Sequence, residues 1–197
     1  PATGGVVAAN ASACIDNSTL SVSLSTGANY IFDGAAQSTT GLPATVNNLT
    51  FSGSGTKTIV NTLSTISGNL VFSGTASATT TSAVSVGGNL TVGDGTNASS
   101  LDAAAFALTI TGTTTVSNAS TLTISSATGA KQFTGLLTVN SGATLNNSGN
   151  SPITIRGGIT NNGTFTAGSG TYTFNTNAQS LSGTLSIPNV TVTCVTL

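Results

Sequence analysis

The carboxylates of this chain are four aspartates: Asp16, Asp33, Asp94 and Asp102. Glycoside chemistry needs two carboxyl groups held across one sugar bond, one to give a proton and one to attack or to activate water. Asp94 and Asp102 are near in sequence, and the others lie far from both. The chain contains no His. Its many Ser and Thr hydroxyls therefore lack a conventional base to make one of them a nucleophile. Cys14 and Cys194 are too few and too far apart for a zinc site. Gly93-Asp94-Gly95 has the look of a calcium-binding turn, yet one Asp cannot supply the roughly 6–8 oxygens that calcium takes. A corner Asp that bonds its own backbone is the simpler reading. The chain is expected to have no catalytic centre, no metal and no cofactor.

Charge narrows the partners. Charged residues make up 4% of the chain and the net charge is -1. Lys57, Lys131 and Arg156 are the only basic residues. They form no electrostatic footprint for nucleic acid and no basic stripe for an anionic membrane. The longest apolar run, Ala103 to Leu108, is far short of the roughly 20 residues that span a bilayer. No membrane insertion is expected. The start, Pro1-Ala2-Thr3-Gly4-Gly5, has no basic stretch and no apolar h-region, so a mature chain or a fragment is expected. Asn-x-[Ser/Thr] triplets at Asn17, Asn48, Asn89 and Asn162 arise from composition alone.

The elements are short strands and small polar corners. Gly68-Asn69-Leu70-Val71-Phe72 recurs as Gly88-Asn89-Leu90-Thr91-Val92. Later phrases align on Leu49, Leu70, Leu90, Thr114, Leu137, Ile159 and Leu185, in steps of 20 to 26 residues. A recurrence of that length, made of strands with Gly/Asn corners, predicts an all-β, right-handed parallel β-solenoid of roughly 8–9 coils. Inward positions take Val, Leu, Ile and Phe; outward positions take Thr, Ser and Asn. Residues 1–18 read as an opening segment or cap, and 19–197 as the solenoid. Leu20 to Leu24 alternates as a strand, Tyr30-Ile31-Phe32 is another, and Gln37 to Ala44 reads as a loop. Ser100 to Leu108 is ambiguous between one helical turn and a strand. Asn146-Asn147-Ser148-Gly149 and Asn161-Asn162-Gly163-Thr164 are corners. They could instead be hairpin turns, which keeps an antiparallel sandwich as the rival fold, but recurrence at coil length rather than as mirrored hairpin pairs favours the solenoid.

Three further features bear on function. Tyr30 to Ser38 matches Tyr172 to Ser180, so the two tyrosines are expected to be one structural position used twice. Phe51, Phe72, Phe133, Phe165 and Phe174 alternate with apolar neighbours and read as core rather than as a sugar-stacking platform. Thr79-Thr80-Thr81, Thr113-Thr114-Thr115 and the Thr121/Thr123 pair could form flat rows that order water or bind ice. The uneven coil steps, and the lack of a strict Thr-x-Thr on every coil, favour Thr as an ordinary β-former.

Thr40 to Thr50 and Gly170 to Asn175 resemble phrases of large repetitive surface proteins of Bacteroidota-type bacteria. These are similar in texture to the β-helical stalks of autotransporter and haemagglutinin-like adhesins. The resemblance covers nearly everything after Asn29. It implies a secreted or surface-displayed solenoid acting as fibre, stalk or adhesin. Its partners would be copies of itself, the rest of a larger surface protein, or glycans.

The ends complete the expectation. At about 4.8 Å per coil, such a rod is roughly 40 Å long. Cys14 sits near its start and Cys194 near its end, whereas a disulfide needs Cα atoms about 4.4–6.8 Å apart. The pair is expected to bridge stacked subunits, unless both thiols are free or have partners elsewhere. The edges expected to stack are Leu20, Val22 and Leu24 at one end and Val190, Val192 and Val195 at the other.

Overall fold

The computed structural model describes residues 23–193, together with the backbone of 6–9. Every strand pairing is parallel, in three sheets of nine, eight and seven strands. The chain is a parallel β-solenoid of about 8 turns. The antiparallel sandwich is thereby overturned. Each full coil visits the sheets in a fixed order, here called faces A, B and C. One coil runs Leu70–Phe72 on face A, Ser77–Thr80 on face B and Val84–Val86 on face C.

Alternation sets the core. On faces A and C a typical three-residue strand buries its first and third side chains, as in Leu90–Val92 and Leu108–Ile110. On face B the middle residue is buried and the flanking two face out, as in Thr121–Thr123. The phrase expected to organise the chain does so. Leu49, Leu70, Leu90, Thr114, Leu137 and Ile159 are successive partners in one inward row. The last member differs: Ile159 pairs with Leu181, not Leu185. Gly183-Thr184-Leu185 imitates the earlier phrase, but the ladder runs through Leu181-Ser182-Gly183, with Gly183 opposite Asn161.

The Gly-Asn corner has a mechanical cause. The Asn48 Oδ1 accepts the Asn69 N–H at 2.7 Å, Asn69 Oδ1 accepts Asn89 N–H at 2.8 Å, and Asn89 Oδ1 accepts Thr113 N–H at 2.8 Å. Each amide oxygen crosses to the next coil past the glycine that precedes the donating residue. A Cβ on Gly68, Gly88 or Gly112 would lie 2.3, 2.4 and 2.3 Å from these oxygens. These glycines serve close approach. Beside this ladder, Phe32, Phe51 and Phe72 stack on face A with ring centroids 5.6 and 5.3 Å apart. Such tilted contacts add to ordinary burial.

Other expectations change. Residues 23–25 form no strand, and Leu20 and Val22 lie outside the described residues. Val6–Ala9, within the segment read as an opening cap, is a strand paired with Asn29–Phe32. The Gln37–Ala44 loop holds a two-residue strand, Gln37–Ser38. Ser100–Asp102 and Leu108–Ile110 are strands with a corner between them. Thr80 and Thr114, expected on outward rows, are buried, and their hydroxyls have no hydrogen-bond partner. Tyr30 and Tyr172 do not share a position: Tyr30 stands on face A and Tyr172 on face C. What they share is local. Each hydroxyl donates to the carbonyl five residues back, Ser25 at 2.7 Å and Ala167 at 3.0 Å.

Candidate functional site

Among the described residues, the coil stack ends on two outer strands. Leu181–Gly183 is the outer strand of face A and Val190–Val192 the outer strand of face C. Both continue inward rows that are buried one coil earlier. Ile159 is 0% exposed, and its partner Leu181 is 52% exposed. Tyr172 and Phe174 are buried, and their partners Val190 and Val192 are 50% and 66% exposed. With Phe174, Leu185 and Ile187 these side chains line a cavity of about 570 Å³. An inward row without a next coil above it leaves apolar surface in water and strand edges unpaired.

Behind this end lies a buried polar cluster. Asn147 Nδ2 donates to the carbonyls of Ser151 and Ala167, both at 3.0 Å, and lies 3.2 Å from the Tyr172 hydroxyl. Its Oδ1 accepts the Ser151 N–H at 3.0 Å. Burial pushes the Tyr172 phenol up to about 12, opposed by the hydrogen bond from Asn147. The cluster fixes the corner on which the last coils rest.

Two cations are buried where the sequence alone suggested only scarcity of charge. Lys57 and Lys131 are 0% and 1% exposed. Lys131 Nζ donates to the carbonyls of Phe106, Thr128 and Gly129 at 2.7, 3.0 and 2.8 Å, matching the three donors of an ammonium. Burial pushes its pKa down, and the charge of Asp102 works against that. Lys57 Nζ donates to the carbonyls of Gly34 and Ala35 and to Gln37 Oε1. The signal was present in the sequence: Thr56-Lys57-Thr58 puts Lys57 at the inward phase of its strand.

Asp33 and Asp94 lie in corners, whereas Asp102 ends the face B strand Ser100–Asp102. Asp94 Oδ1 accepts the N–H groups of Thr96 and Asn97 at 2.9 and 2.8 Å, and its Oδ2 accepts Gly74 N–H at 3.0 Å. These bonds, that from Asn97 foremost, hold its carboxyl below the usual carboxylate range. Asp102 Oδ1 accepts Ala104 N–H at 2.8 Å. Among the described residues, no three acidic or cysteine side chains gather as a metal site. Asp16, Cys14, Cys194 and Val195 lie outside the described residues. Leu24 is half-buried and packs on the core, while Val190 and Val192 stand at the open end.

No family model matches this chain. No curated protein and no solved structure matches it either. No helix among the described residues is long and apolar enough to cross a membrane.

Proposed function

We propose that this chain is a structural solenoid of the cell exterior, a unit of a fibre that lengthens by end-to-end stacking of coils. The observation that supports this is the last pair of strands among the described residues, where Leu181, Val190 and Val192 expose rows that are buried from Tyr30 to Phe174 behind them. Another coil would cover them and pair the strand edges. Burying apolar surface yields about 25 cal/mol per Å². The start of a second copy offers the outer strand Val6–Ala9 on the same face A as Leu181–Gly183. A contact between unlike ends that does not close on itself builds a filament. The resemblance to repetitive surface proteins of Bacteroidota-type bacteria supports an extracellular place for such a fibre. There a Cys14–Cys194 bridge between copies would persist.

The second reading is a stalk segment of a larger surface adhesin, in which further coils of the same polypeptide cover the end. Electron microscopy of the purified chain separates the two. Long uniform filaments, lost on Leu181→Asp, support the fibre; short single rods from the unaltered chain leave the stalk. Non-reducing gels of intact filaments test the staple: a ladder of multimers that collapses with reductant supports it, and monomer in both lanes removes it.

A further inference from the structure

Face B differs from the other faces in what it shows to solvent. Where its neighbours turn out one side chain per typical strand, a face B strand turns out two, at i and i+2. Parallel register sets these in two columns. The first runs Thr56, Ser77, Ser100, Thr121, Thr144 and Thr164 through six successive coils, a hydroxyl at each step. The second, two residues on, is Thr at four of the six coils, with Asp102 and Asn146 at the other two. Thr-x-Thr is complete at Thr56/Thr58, Thr121/Thr123 and Thr164/Thr166. The unevenness of the coil lengths does not disturb this array. The ladder pairs Ser100 with Thr121 and Thr121 with Thr144 without a slip, and the added residues sit in the corners.

We propose that face B is an ice-binding face, whose ligand is the surface of crystalline water. The outward groups repeat about 4.8 Å along the stack and about 6.7 Å along each strand, a two-dimensional net of hydroxyls and methyls. A hydrogen-bonded water lattice is itself a net of donors and acceptors on that scale. Each Thr hydroxyl both donates and accepts. Its β-branch holds χ1 in few rotamers, so little side-chain freedom is lost when the net meets an ordered surface. The face excludes other occupants. Asp102 is the one charge in either column, which offers nothing to an ionic partner. Neither column carries an aromatic ring to stack on a sugar, nor the apolar centre that a protein interface requires. This inference is independent of the fibre: it concerns the side of the rod, not its end.

The test is incorporation of the purified chain into a slowly growing ice hemisphere, with the gap between melting and freezing points read alongside. The expected result is enrichment in ice and faceted crystals. Thr121→Lys with Thr144→Lys, both at half-exposed positions on face B, should reduce both readouts to the level of buffer at an unchanged melting temperature. Thr109→Lys with Thr154→Lys, the equivalent change on face C, should leave them intact. Exclusion of the unaltered protein from ice overturns the proposal, whatever the variants do. Equal loss from the two pairs overturns it as well. So does binding to crystalline cellulose or chitin in place of ice.

Discussion

Leu90 and Leu181 belong to the same inward row of face A, yet one is fully buried and the other is 52% exposed. Both strands are three residues long and begin with Leu, although Leu90-Thr91-Val92 ends on a buried Val and Leu181-Ser182-Gly183 on an exposed Gly. They differ most in whether another strand of the described residues pairs on the outer side. Leu90 has Leu70 below and Thr114 above, whereas among the described residues Leu181 has only Ile159. In a solenoid each coil contacts only its neighbours, so burial belongs to a place in the stack rather than to a residue's local pattern.

The comparison breaks or holds first on truncation. Leu90→Ala should cost about 2–5 kcal/mol, because the stacked coils cannot collapse on the cavity. Leu181→Ala in the isolated chain should cost less than about 1 kcal/mol, since much of its surface is already in water. Urea unfolding of both variants decides it, and equal losses would erase the distinction between interior and end.

The next effect is a pH limb. Burial raises the Tyr172 phenol from 10.0 to about 12. Above pH 10 the unfolded chain gives up this proton and the folded chain keeps it. Stability is therefore full below about pH 10 and falls as pH rises toward 12. The loss should be on the order of 2 kcal/mol. Thermal melts between pH 8 and pH 12 should show it, with a smaller fall in Tyr172→Phe. A flat profile would mean that the last coils are already open to water.

A smaller gain sharpens the interior side. The Thr114 hydroxyl is buried in the Leu90 row without a partner. Thr114→Val keeps the shape and removes the stranded group, so it should stabilise the fold by about 1 kcal/mol. The same change at outward Thr115, one residue on, should move the melt by less than about 0.5 kcal/mol.

The least effect is expected from salt. Two of the three cations are buried among carbonyls and the remaining charges are few. Raising salt from about 10 mM to about 1 M shortens the screening length from about 30 to about 3 Å. Neither melting nor end-to-end assembly should respond strongly, and salt-induced dissolution of filaments would show that charge, not the apolar end, joins them.

Much of this was written in the chain. Coil length, the Leu49-to-Ile159 row and the Gly-Asn corner follow from alternation and from amide oxygens that need a glycine to pass. These are local rules, and a one-residue slip would turn a whole row to solvent. What only the tertiary structure decided is which face each phrase occupies and what lies one coil away. Tyr30 and Tyr172 carry the same local bond but fall on different faces, because insertions in the corners shift a phrase around the coil. Leu185 imitated the repeat, yet Leu181 took its place in the ladder. Lys57 and Lys131 are buried because corner carbonyls, in part from a preceding coil, surround each ammonium. The Thr columns of face B emerged for the same reason. Hydrogen bonds between residues some twenty positions apart hold the register, and the corners absorb the unevenness that hid it.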